Sequence, residues 1–153
     1  MNDLEEIRDE IIKKAFPELL DEDVRIEYKH LDDALIECGG LTPEGFYIEV
    51  DNCLKNAPRV VKEGGIAHDL GHIVVQKQLG SKKSLRDKLA YKISPRYKTL
   101  DERNTDLMII IRNYGRQLLE FMRYAEKKGF SYYKEEGLNI RELEIILSLG
   151  SQK

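Results

Sequence analysis

The stretch "EGGIAHDLGHIVV", Glu63–Val75, decides how the rest of this chain is read. His68 and His72 stand four residues apart in an apolar run, and on an α-helix that spacing stacks two side chains on one face. Both imidazoles then aim at one point. Ile66, Ala67, Leu70, Ile73 and Val74 flank them, which predicts a buried helix over residues 59–78. Gly71 sits between the histidines although glycine costs a helix roughly 1 kcal/mol. Its missing side chain would let another element approach closely there. Two imidazoles converging on a point supply two ligands of a tetrahedral zinc, and a third is expected from elsewhere in the chain.

The segment "ERNTD", Glu102–Asp106, supplies that candidate. Its two acids are also four apart on a helix face. One can bind metal while the other holds a histidine through its second ring nitrogen, which fixes tautomer and orientation. A helix is expected over residues 99–128, opened by a capping box of Thr99 and Glu102 and closed at Gly129. Leu107, Ile110, Ile111, Tyr114, Leu118, Phe121 and Met122 would form its buried stripe.

Outward from these motifs, the period changes. Leu4, Ile7, Ile11 and Ile12 mark an N-terminal amphipathic helix that Pro17 ends. "VRIEYK" (Val24–Lys29), "ALIEC" (Ala34–Cys38) and "GFYIEV" (Gly45–Val50) read as strands, the last two joined by the turn-forming "GGLTPEG". Residues 84–93 predict a short helix broken at Pro95, and residues 139–150 a final one. The expected fold is a single α+β domain over 1–153, with a small, mostly antiparallel sheet of three or four strands and a helical C-terminal half.

An apolar content of 41% against 35% charged residues is that of a globular chain. No apolar run approaches the roughly 20 residues that span a bilayer, and the acidic start is unlike a signal peptide, so a cytoplasmic protein without membrane contact is expected. Cys38 and Cys53 are too few for a disulfide framework and read as reduced, partly buried thiols. Net charge is -3, unevenly spread. Residues 76–100 carry eight bases and only Asp87 as an acid, and this segment lies between the two motifs. It lacks the interleaved aromatics of a nucleic-acid surface, so nucleic acid is not expected. A preference for acidic peptides, or for a partner with an acidic or phosphate-rich surface, is.

Taken together, "HDLGH" and a later "ExxxD" resemble the gluzincin branch of the zincin metallopeptidases, whose pattern is HExxH followed by ExxxD. The resemblance spans roughly residues 24–125. It implies Zn2+ held by His68, His72 and Glu102, with Asp106 behind a histidine and Asp69 in the general-base position. It implies hydrolysis of peptide bonds, with an extended peptide or protein substrate pairing along an edge strand, for which "FYIEV" is the candidate. Asp69 stands where the family has glutamate. Its carboxylate falls back by about 1 Å, a displacement that can cost on the order of 10²-fold in rate. Tyr91, Tyr97, Tyr114, Arg96 and Arg112 are the groups available to steady an oxyanion.

Other readings compete. A zincin scaffold could bind metal or peptides without cutting them, and the two histidines could simply be buried and hydrogen-bonded. "HD" also resembles the HD-domain phosphohydrolases, which would use His30, the pair His68–Asp69 and a later Asp101 or Asp106. That family has helices before its His-Asp pair, where this chain has strand patterns, and it leaves His72 without a role. His30 otherwise reads as a surface histidine.

Overall fold

Alternating apolar residues build three short strands: β1 (Val24–Lys29), β2 (Ile36–Thr42) and β3 (Gly45–Asp51). The computed structural model describes residues 2–42, 45–130 and 136–151. Phe46, Ile48 and Val50 point inward from β3, and Val24 and Ile26 do so from β1. The sheet order is β1-β3-β2. Strands β2 and β3 pair antiparallel, from Ile36 opposite Val50 to Gly39 opposite Tyr47, but β1 and β3 run parallel. The sheet is therefore mixed rather than mostly antiparallel. Residues 30–35 carry the chain past the place beside β1, and the returning β3 fills the gap. As a result "FYIEV" is the central strand, not an edge, and β2 is the edge strand that faces the helices.

Helix α1 (Asp3–Ala15) opens with a reciprocal capping box between Asn2 and Glu5 and buries the expected stripe of Leu4, Ile7, Ile11 and Ile12. The histidine helix, α2 (Arg59–Ile93), runs on past residue 78. It bends at Gly80, whose φ of 73° is outside the helical range, and continues as an arm through the segment expected to be separate. Pro95 starts the next helix instead of merely ending one. Ser94 caps α3 (Pro95–Ile111), and Thr99 lies inside it.

The single helix expected over 99–128 is two helices. Asn113, at φ 70°, takes the left-handed conformation, and the amide of Tyr114 donates to the carbonyl of Ile109 in a Schellman closure. Helix α4 (Gly115–Lys127) then folds back. The break exposes Leu107 and Ile111, which were expected inside, and Ile109 is buried in their place. Arg112 holds the corner by donating to the carbonyl of Ala15 and to both carboxylate oxygens of Glu18. Helix α5 (Ile140–Ser151) follows. Apolar residues of every helix and strand meet in one core around the first half of α2. Among the described residues, no helix is long and apolar enough to cross a membrane.

Helix α4 approaches α2 so closely that a Cβ on Gly64 would lie 2.1 Å from the backbone carbonyl oxygen of Gln117. A methyl group there has to push two backbones apart. Gly64→Ala should therefore cost about 3 kcal/mol or more in urea unfolding. Gly150→Ala, on α5 with nothing near its Cβ, should be neutral or stabilising by up to about 1 kcal/mol. Similar losses at both positions would contradict the close-packed interface.

Candidate metal centre

Four residues of helical rise place His68 and His72 on one face of α2, and Gly71 between them admits α3. A Cβ on Gly71 would be 3.1 Å from both Ile109 and Thr105. This close contact sets α3 beside the histidines and brings in its acids. Glu102 Oε2 lies 3.0 Å from His68 Nε2, His72 Nε2 lies 3.1 Å from His68 Nε2, and Glu102 Oε1 lies 3.4 Å from His72 Nε2. One ligand atom from each of His68, His72 and Glu102 falls within 4.8 Å of the others. With Zn–N bonds of about 2.0–2.1 Å, ligands on a tetrahedron sit about 3.3 Å apart. The donor set fits a metal.

Behind each imidazole stands a carboxylate. Asp106 Oδ1 is 2.9 Å from His68 Nδ1, a close ion-pair contact that is poorly aligned for a straight hydrogen bond. Its other oxygen accepts from the amide of Leu138. Asp101 Oδ2 is 3.6 Å from His72 Nδ1. Asp101 entered the sequence reading only through the phosphohydrolase resemblance, and its place behind His72 depends on the rotation of α3 that packing at Gly71 imposes. Tyr91, named from the sequence only among the groups that could steady an oxyanion, has a contact with Glu102 that the sequence did not foretell. It returns from the arm beyond Gly80 and donates its hydroxyl to Glu102 Oε1. No local spacing signals this contact, because the bend in α2 creates it.

Burial and charge act against each other here. Burial favours neutral His68, but Asp106 and Glu102 overcome it and raise its pKa well above the usual value. His72 is raised despite its burial, chiefly by Glu102. Burial alone would raise Glu102, yet the two imidazoles hold its carboxyl far below the ordinary range. Asp69 is the exception. It is buried, its Oδ2 has no hydrogen-bond partner, and burial pushes its carboxyl up to about 6.

These groups line an open cavity of about 730 Å³ between α2, α3 and the edge strand. Ile36, Glu37 and Cys38 of β2 form one wall. The amide of Asp51 donates to Leu35 O, so Leu35 faces β3, and strand alternation turns the backbone groups of Ile36 and Cys38 outward. The carbonyl of Gly40, next in that series, accepts from Lys88. Of the basic segment, Lys88, Lys92 and Lys98 reach the cavity, where Asp33, Glu37, Asp87 and Glu136 face them. Cys38 and Cys53 are both free thiols. Of the groups named for an oxyanion, Tyr91 lines the cavity, while Arg112 and Tyr114 are committed to the α3–α4 corner. His30 is 78% exposed beside Asp32, away from the cavity.

Comparison with protein-family models, with curated proteins and with solved structures finds no match. The arrangement therefore speaks through its own chemistry.

Asp69 yields a pH-dependent prediction for the metal-free protein. Its folded value lies above the ordinary 3.8. Its charged form is thus disfavoured by folding, a cost absent below pH 3.8, growing as pH rises, and complete above about 6. A rise of this size corresponds to roughly 3 kcal/mol. Asp69→Asn should raise stability toward urea by about 2–3 kcal/mol at pH 8 and by little at pH 4. Equal effects at the two pH values would mean that burial of charge is not the cause.

Proposed function

We propose that this chain is a zincin-type metal-dependent hydrolase in which His68, His72 and Glu102 hold one zinc ion and Asp69 serves as proton acceptor for peptide-bond cleavage. The observation that carries the reading is the backing of each inward-facing imidazole by its own carboxylate: Asp106 for His68 and Asp101 for His72. Buried histidines serving only the core need no convergent Nε2 atoms. Histidines that bind metal need both the convergence and the support behind.

Zinc, when bound in such a donor set, lowers the pKa of a coordinated water toward about 7 and polarises a carbonyl. The remaining work belongs to the chain. Asp101 and Asp106 favour a proton on Nδ1 and so leave the Nε2 lone pairs facing inward. Tyr91 occupies one oxygen of Glu102 and steadies the other. Asp69 has an uncommitted buried oxygen on the same cavity wall and an affinity for protons near neutrality, as a general base requires. Its short arm favours a slow enzyme over a fast one. The outward amide and carbonyl groups of Ile36 and Cys38 offer an extended peptide a strand to pair with. The phosphohydrolase reading lacks its upstream histidine, because His30 lies at the surface.

Metal analysis of the purified protein should find about one zinc per chain, as a three-ligand His2Glu set predicts, with loss in both His72→Ala and Glu102→Ala. Retention of full metal in Glu102→Ala would remove the assignment. Casein should be cut and a generic phosphodiester left intact. Asp69→Glu should speed casein cleavage by on the order of 10-fold or more if arm length limits the rate. Metal binding with no cleavage by either form would leave a binding protein.

Tyr91→Phe isolates the support given to Glu102. Competition against a chelator should show zinc affinity lowered by about 10-fold, within the range for lost outer-shell partners. The cobalt-substituted variant should change its visible spectrum, while thermal stability of the metal-free protein stays close to that of the parent. An unchanged affinity and spectrum would remove Tyr91 from the site.

A further inference from the structure

The arm between Gly80 and Ser94 has two sides with different chemistry. One side serves the cavity: Tyr91 reaches Glu102, and Lys88 reaches Gly40. On the other, Leu85, Leu89 and Ile93 follow at intervals of four and share a face. They are 61%, 52% and 80% exposed. Lys83 and Arg86 on the same arm are exposed, as is Arg96 just beyond its tip, and none of the three has an ion-pair partner among the described residues. The tip itself, where the arm turns into α3, carries the most exposed of the three aliphatics.

We propose that this outer face of the arm docks on an anionic lipid bilayer. Three aliphatic side chains in a row lose free energy in water, and the surrounding cations lose none in a layer of phosphate headgroups. A lipid surface satisfies both demands at once. Lysine and arginine stems lie along the apolar stripe with their charges at headgroup level, while the leucines and isoleucine reach the acyl boundary. A second copy of the chain would satisfy the aliphatics but set like charges against each other. A nucleic acid would neutralise the cations and leave the aliphatic stripe in water. An acidic protein would have to bring its own apolar groove to a convex helix. Such surface docking requires no spanning segment, and it differs from the sequence-based expectation of no membrane contact. It does not rest on the metal reading, because the face turns away from the cavity.

The test is cosedimentation of the full chain with phosphatidylcholine vesicles, with and without phosphatidylglycerol. The protein should pellet with the anionic vesicles, stay in solution with the neutral ones, and be released by high salt. The double variant Leu89→Ser, Ile93→Ser should lower partitioning by about 10-fold, since each buried aliphatic carries a large share of such binding. Lys83→Glu with Arg86→Glu should abolish the preference for anionic vesicles. All variants should keep parental helix content and zinc stoichiometry, which separates this outcome from a failure of the metal site. Equal binding to neutral and anionic vesicles, or none to either, would overturn the proposal. So would anionic binding that ignores the serine double variant, which would indicate charge-only attraction of the kind a nucleic acid offers. Self-association abolished by that variant would assign the face to a second copy and overturn it as well.

Discussion

Helix α2 is the shared packing partner of the fold, and two points of close approach on it govern what lies around it. At Gly64 the backbone of α4 comes within a distance that any side chain would block, and at Gly71 the Thr105 and Ile109 side chains of α3 lie 3.1 Å from where a Cβ would sit. The strands cover the helix from the side of β2, and α1 packs on it as well. Glycine lowers the intrinsic helicity of this segment. Burial of Ile66, Ala67, Leu70, Ile73 and Val74 supplies the compensating stabilisation, since each fully buried aliphatic of Val or Leu size contributes about 1.5–3 kcal/mol. The helix persists because it is surrounded, and the site exists because one of its neighbours can come so near.

The cluster inside is costly to build. Two imidazoles and four carboxylates are withdrawn from much of their water, and mutual attraction has to outweigh that loss. It does so for His68, His72 and Glu102, whose proton affinities are all displaced toward the charged pair. It does not for Asp69, which has no donor to satisfy its second oxygen. A stable core would have no reason to keep a carboxylate in that position. Strained or unsatisfied groups concentrate where a fold has work to do, and this one adjoins the only three-residue group of possible metal ligands among the described residues.

Much of this was legible in the chain. Local period alone located α1, β1 and β3, because each has one wet and one dry face. The pairs His68–His72 and Glu102–Asp106 could be read because helical spacing is itself geometry, and Gly71 signalled the close approach that joins them. What escaped depended on distant parts of the chain. The apolar stripe runs unbroken from Ile109 through Phe121, so nothing in its period reveals the turn at Asn113; only a left-handed asparagine and the anchoring of Arg112 on Glu18 create it. The parallel pairing of β1 with β3 follows from where β2 is laid down, not from either strand's composition. Asp101 and Tyr91 acquire their places only after α3 rotates onto α2 and the arm bends at Gly80.

His68 and His72 come from one helix and Asp101, Glu102 and Asp106 from the next, with the arm's tyrosine as a latch. A bound ion would therefore act as a rivet between α2 and α3, and its binding energy would add directly to the docking of those helices. The converse follows from the same linkage. Any excursion that peels α3 from Gly71 takes Glu102 away from the two histidines and Asp101 and Asp106 from behind them, so escape of the ion and opening of the helix pair would be one event with one rate.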